Sequence, residues 1–99
     1  MREISLEQRL IDAAKRFGGV ALKGENVAGF PDRIILLPGG RVYFIEVKRP
    51  GGKMSDRQRE WMYDLMALGM QHREMWNQVD LNDFIREVEV WNCTAIKNT

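Results

Sequence analysis

The 99-residue chain is predicted to be an α/β domain, with a central mixed four-stranded sheet flanked by helices. Three observations predict it. Two segments, Ser5 to Gln8 and Ser55 to Gln58, have the spacing of a helix-opening capping box. Between them, an aliphatic run (Ile34 to Leu37), a Pro38-Gly39-Gly40 turn and an alternating segment from Arg41 to Lys48 read as a β-hairpin. A further short strand follows the second helix. Reaching it through a helical crossover favours parallel addition to a sheet that is otherwise an antiparallel meander. The expected order is αβββαβα.

Each element has a local cause. A helix is expected from about Leu6 to Phe17, stopped by Gly18-Gly19. Glu7, Leu10, Ile11 and Ala14 recur at helical spacing, so Glu7 borders the core-facing stripe. Val20 to Lys23 is the first strand, and Lys23 to Ala28 a loop. In the hairpin's second strand Val42, Phe44, Glu46 and Lys48 share one face, and Tyr43, Ile45 and Val47 the other. Pro50-Gly51-Gly52 ends it. The second helix runs to about Leu68 before Gly69, with Gln58, Trp61, Met62 and Leu65 on one side. Met70 to Trp76 is the fourth strand, polar enough to be an edge. A short last helix is expected over Asp80 to Val88, and residues 89–99 read as a tail.

Composition narrows the function classes. The length suits one domain, spanning 1–99, and a core this small is often supplemented by self-association. An apolar content of 44% and a charged content of 29% are ordinary for a globular protein. No apolar run is long enough for a membrane span, and no signal-peptide pattern is present. One cysteine, Cys93, excludes an intramolecular disulfide and suits a reducing, cytoplasmic compartment. With a single histidine, His72, a Cys/His zinc site within one chain is excluded, so a metal would be held by oxygen, as Mg²⁺ or Mn²⁺ is. His72 itself reads as a surface residue. Charge is uneven. From Lys48 to Arg59 five basic residues stand against one acid, and from Glu74 to Val90 five acids stand against one base. A polyanion would be steered toward the first segment.

Chemistry concentrates at the hairpin. Asp32 precedes its first strand, and Glu46 and Lys48 end its second. Two carboxylates converging there can share a divalent cation, and the lysine can hold a water or a phosphate, as metal-assisted phosphodiester hydrolysis requires. Each residue also has an ordinary role. Asp32 suits a turn, Glu46 and Lys48 an exposed ion pair, Glu7 a helix dipole, and Gln58 the capping box.

Taken in order, Glu7, Gly29-Phe30-Pro31-Asp32, Gly39-Gly40, Glu46-Val47-Lys48 and Ser55 to Gln58 resemble the motifs of the VRR-NUC (virus-type replication-repair nuclease) family, within the PD-(D/E)xK superfamily. The match spans about residues 5–76. The resemblance implies a restriction-endonuclease-like fold, and the length is similar to compact stand-alone versions from phages, which act in a bacterial host. It also implies roles. Asp32, Glu46 and the Val47 carbonyl would bind one or two Mg²⁺ or Mn²⁺ ions, with Glu7 joining directly or through water. Lys48 would position the attacking water and offset phosphate charge, and Gln58 would hydrogen-bond beside it. Arg33, Arg49, Lys53, Arg57 and Lys23 are candidate DNA contacts.

The expected activity is that of a metal-dependent, structure-specific DNA endonuclease. It would act as a homodimer on branched DNA such as four-way junctions. A flap or duplex nickase, a catalytically silent DNA-binding or assembly module, and a small-molecule phosphohydrolase are the alternatives. Trp76 and Trp91 are assigned to the core or to a dimer interface.

Overall fold

The computed structural model describes residues 4–97. The chain forms α1 (Leu6–Arg16), β1 (Val20–Lys23), β2 (Arg33–Leu37), β3 (Arg41–Val47), α2 (Asp56–Ala67), β4 (Gln71–Met75) and α3 (Gln78–Lys97). The sheet order is β1-β2-β3-β4, with β1, β2 and β3 antiparallel and β4 parallel to β3. The predicted α/β class, mixed sheet and element order are all present.

The helices start where their caps put them. Ser5 Oγ accepts the Gln8 N–H, and Ser55 Oγ accepts the Gln58 N–H while Gln58 Oε1 accepts the Ser55 N–H. The second exchange is a complete capping box, satisfying two otherwise orphaned donors. Period-two alternation then divides the sheet into two faces. On one, Ile35, Leu37, Tyr43, Ile45 and Met75 pack against Leu10 and Ala14 of α1 and Leu81, Phe84 and Val88 of α3. On the other, Phe44 meets Phe30 edge-to-face and Phe30 meets Trp61 of α2 in the same way. The molecule is thus three layers: α1 and α3, the sheet, then α2.

Two expectations change. The last helix does not stop at Val88, and residues 89–97 are not a tail: α3 continues to Lys97, while residues 98 and 99 lie outside the described segment. Nothing between Glu89 and Lys97 breaks a helix, since no glycine or proline occurs there. The extension is anchored by Arg41, which stacks over Trp91 at 4.8 Å and donates to Asn92 Oδ1 at 2.8 Å. Trp91→Ala should therefore lower the melting temperature by roughly 3–5 °C and reduce helical circular dichroism, without global unfolding.

His72 is also not a surface residue. It is buried on the α2 side of the sheet, and burial holds its pKa below the usual value. Its register opposite Phe44 places it under α2, which the polar run around it in the sequence conceals.

Candidate active site

Asp32 and Glu46 come together because of strand register. Arg33 pairs with Ile45 across the β2–β3 ladder. One step further, Asp32 falls opposite Glu46, on the face that α2 covers. The approach is fixed by the backbone: Val47 N–H donates to Asp32 Oδ2 at 2.8 Å, and Gly24 N–H donates to the Asp32 carbonyl at 3.0 Å. Pro31, just before it, is fully buried.

Glu46 has no exposed surface. One of its oxygens accepts from Gln58 Nε2 at 3.1 Å, and the other, Oε2, is buried with no N–H or hydroxyl donor to it among the described residues. A carboxylate without water is costly to ionise. Burial first, then hydrogen bonding to and repulsion from Asp32, push the Glu46 carboxyl up to about 8, against an opposing pull from Lys48. The two acids therefore prefer a shared positive charge, whether a proton or a metal cation.

Lys48 and Gln58 complete the set. Lys48 Nζ donates to Gln58 Oε1 and to the Lys53 carbonyl at 3.2 Å. An ammonium has three donors, so one remains for the cleft that Lys48 lines. Gln58 accepts from Lys48 and the Ser55 N–H and donates to Glu46. The cap of α2 is thereby wired to both charged groups.

The loop that delivers Asp32 is docked on the same helix. Trp61 Nε1 donates to the Ala28 carbonyl at 3.2 Å. Gly29 has φ +75°, and a Cβ there would lie 2.8 Å from the Arg57 carbonyl carbon. The position thus needs glycine for conformation and for close approach. Gly29→Ala should lower the melting temperature by several degrees and disturb Asp32, which thermal melts and cleavage rates together would show.

The other expected residues are distributed as follows. Glu7 lies on the wall of a cleft of about 530 Å³ lined also by Ser5, Leu6, Asp32, Val47, Lys48, Arg49, Pro50 and Trp76. Its carboxylate is 3.4 Å from Arg33 Nε. Arg33 is mostly buried and turned toward α1, and Lys23 pairs with Glu25 at 3.3 Å. Arg57 pairs with Glu60 at 3.7 Å beside Gly29. Arg49 and Lys53 are exposed, and Arg49 lines the cleft. Among the described residues no three acidic, histidine or cysteine side chains converge as a metal-binding group. The donors that adjoin are two carboxylates and the main chain at Val47. An orphaned carboxylate oxygen beside a second carboxylate suits a hard divalent cation.

Two residues near the site carry no signal in their own sequence neighbourhood. Glu74 pairs in register with Glu46 and adds to its repulsion. Trp76 lines the cleft. The parallel β3–β4 register, invisible in a local pattern, places both.

The fold is that of the restriction-endonuclease-like class. A family model for the VRR-NUC domain matches residues 6–78, and the chain belongs to that family. Over 73 residues it is 38% identical to "Putative nuclease p44" of Acyrthosiphon pisum secondary endosymbiont phage 1, covering 72% of this chain and 78% of the relative. A solved structure described as a VRR_NUC domain superimposes with a TM-score of 0.67 at 24% identity, covering 84% of this chain and 97% of that one. It shows the same fold. No described helix is long and apolar enough to cross a membrane.

Proposed function

We propose that the protein is a Mg²⁺- or Mn²⁺-dependent DNA endonuclease acting as a homodimer on branched DNA, such as four-way junctions. The observation that carries the metal dependence is the orphaned, buried Glu46 Oε2 against Asp32. Asp32, Glu46 and the Val47 carbonyl would hold the ion, and Glu7, which lines the same cleft as Asp32, would join directly or through water. A divalent cation there lowers the pKa of a bound water and offsets charge on the phosphate.

The chain's own groups do the rest. Gln58 holds the Lys48 ammonium, and the free Lys48 donor orients the water or a phosphate oxygen. Because Lys48 donates to two acceptors, positioning and charge stabilisation suit it better than proton abstraction. Arg49 on the cleft wall, and the exposed Lys53 whose carbonyl accepts from Lys48, attract the DNA backbone. Asp80, Asp83 and Glu87 line a separate cavity together with Arg73, and Arg73 pairs with Glu87 there at 2.9 Å.

The dimer is supported by apolar surface on the α2 side of the sheet, toward the end away from the site. Val20 pairs with Leu36, and Leu22 with Ile34, and Val20, Leu22, Leu36 and Met70 are all at least 36% exposed. Contiguous apolar surface of this kind marks an interface, and a two-fold pair of sites suits symmetric cuts. The test is cleavage of labelled four-way junction, flap, nicked and linear duplex DNA in Mn²⁺ and in EDTA, with sedimentation to give the oligomeric state. Metal-dependent cutting of the junction by a dimer is expected. Preferential cutting of flaps or linear duplex would replace the substrate assignment, and cutting in EDTA would overturn the metal.

A further inference from the structure

The cleft contains more than a metal site needs. Its volume of about 530 Å³ lies within the range of pockets that enclose a small organic group, about 300–1,000 Å³. Its lining divides by chemistry. Asp32, Lys48 and Arg49 suit a phosphate and its counter-charge, while Leu6, Pro50 and Trp76 form an apolar part. Trp76 is half-buried and is the single aromatic among the described residues of that lining.

Trp76 is also held still. Its indole N–H donates to Glu74 Oε2 at 3.0 Å, and its backbone N–H donates to Asp80 Oδ2 at 2.8 Å. The first bond fixes the ring and the second fixes the turn between β4 and α3. A flat ring with restrained rotation loses little entropy when another flat ring stacks on it. It lines the same cleft as Asp32 and Lys48, so a group stacked on it would share that cleft with the phosphate they would engage.

We propose that Trp76 is a stacking platform for one unpaired nucleotide base next to the scissile phosphate, so that the cleft selects DNA whose base is already out of the helix. A base inside duplex DNA cannot reach such a ring without unstacking, which costs a few kcal/mol and least where pairing is already broken. Flaps and single-stranded ends supply that condition, and a junction centre supplies it where a pair beside the branch point opens. This inference rests on the nuclease reading above and deepens it by naming what the cleft recognises.

The experiment compares two fluorescent probes in Ca²⁺ in place of Mn²⁺: a duplex with a short single-stranded arm, and the same probe with abasic sugars in that arm. Wild-type protein, Trp76→Phe and Trp76→Leu are titrated with each, after melting curves establish that the variants fold. Trp76→Phe should bind the base-containing probe within about threefold of wild type. Trp76→Leu, which keeps apolar bulk without the π face, should bind it about tenfold more weakly. All three should bind the abasic probe alike. Equal affinity of Trp76→Leu and wild type for the base-containing probe would overturn the proposal, as would an equal loss on both probes. Wild-type protein that binds the base-containing probe preferentially but cuts nothing in Mn²⁺ would overturn the nuclease reading alone. Wild type that fails to distinguish the two probes would overturn the stacking platform.

Discussion

Asp32→Asn and Lys48→Ala should each reduce Mn²⁺-supported DNA cleavage by on the order of a thousandfold or more, with DNA binding changed by less than about threefold. Asparagine is the informative replacement at Asp32. It keeps a carbonyl oxygen to accept the Val47 N–H, whose bond to Asp32 Oδ2 is 2.8 Å, and removes only the negative charge. Alanine would also leave that backbone donor unsatisfied, which costs about 1–3 kcal/mol when buried. At Lys48 the loss has two sources. The free ammonium donor disappears, and Gln58 Oε1 loses a partner, although the Ser55 N–H still holds that oxygen in the capping box. Lys48→Arg should not restore full activity, because a planar guanidinium cannot reproduce the two bonds of a compact ammonium. Single-turnover cleavage with binding titrations checks all three variants. Cutting by Asp32→Asn at the wild-type rate would sink the assignment of this carboxylate.

Glu46→Gln should abolish cleavage and at the same time stabilise the metal-free protein at pH 8. Its carboxyl lies at about 8 in the fold against an ordinary value of 4.5. Between those values the folded chain keeps a proton that the unfolded chain has released. Stability from this group is therefore full below about pH 4.5 and is lost as pH rises through 8. His72 works in the opposite direction. Its folded value is lowered from 6.5 by burial, so its contribution is lost as pH falls below 6.5. Tyr43 is raised from 10.0 and lies above this range. The window from pH 6.5 to 8 thus isolates Glu46. In EDTA the wild-type melting temperature should fall across that window by on the order of 10 °C, and Glu46→Gln should remove the slope. Mn²⁺ at pH 8 should restore the wild-type value by replacing the proton between Glu46 and Asp32. It should do little for Glu46→Gln. A wild-type melting temperature that is flat in EDTA from pH 6.5 to 8 would contradict the shared-charge arrangement.

Much of the site is legible in the sequence because its determinants are local. The Pro38-Gly39-Gly40 turn and the alternation of Arg41 to Lys48 specify a hairpin, and the hairpin's register brings Asp32 opposite Glu46. Gln58 is legible through its capping-box spacing from Ser55. The box fixes where α2 begins, and so where the Gln58 amide can reach. The length of α3 is not legible. Val88 closes the strongly apolar stripe, and what holds the remaining turns is contact with Arg41, distant in sequence. The burial of His72 is hidden for a related reason. Its neighbours Gln71, Arg73 and Glu74 are polar, but α2 covers the face on which it stands.

Arg33 shows the same limit within the site. As a sequence feature it is a cation beside a catalytic-looking acid, suited to a phosphate. In the fold its alternation points it to the α1 side, against Glu7. Whether Glu7 serves the metal is thereby tied to how tightly Arg33 holds it, and Arg33→Met with a Mn²⁺ titration would measure that.

The residue types, their order and their capping and turn chemistry determined by themselves an αβββαβα domain with Asp32, Glu46, Lys48 and Gln58 directed to one end of a sheet. Only the tertiary structure decided that Glu46 is sealed from water, that Trp76 joins the cleft wall and that Arg33 turns to Glu7. The physical reason is that hydrogen-bond spacing and side-chain alternation act over a few residues. The cost of desolvating a charge depends on every layer packed around it, and no local stretch of sequence contains that sum.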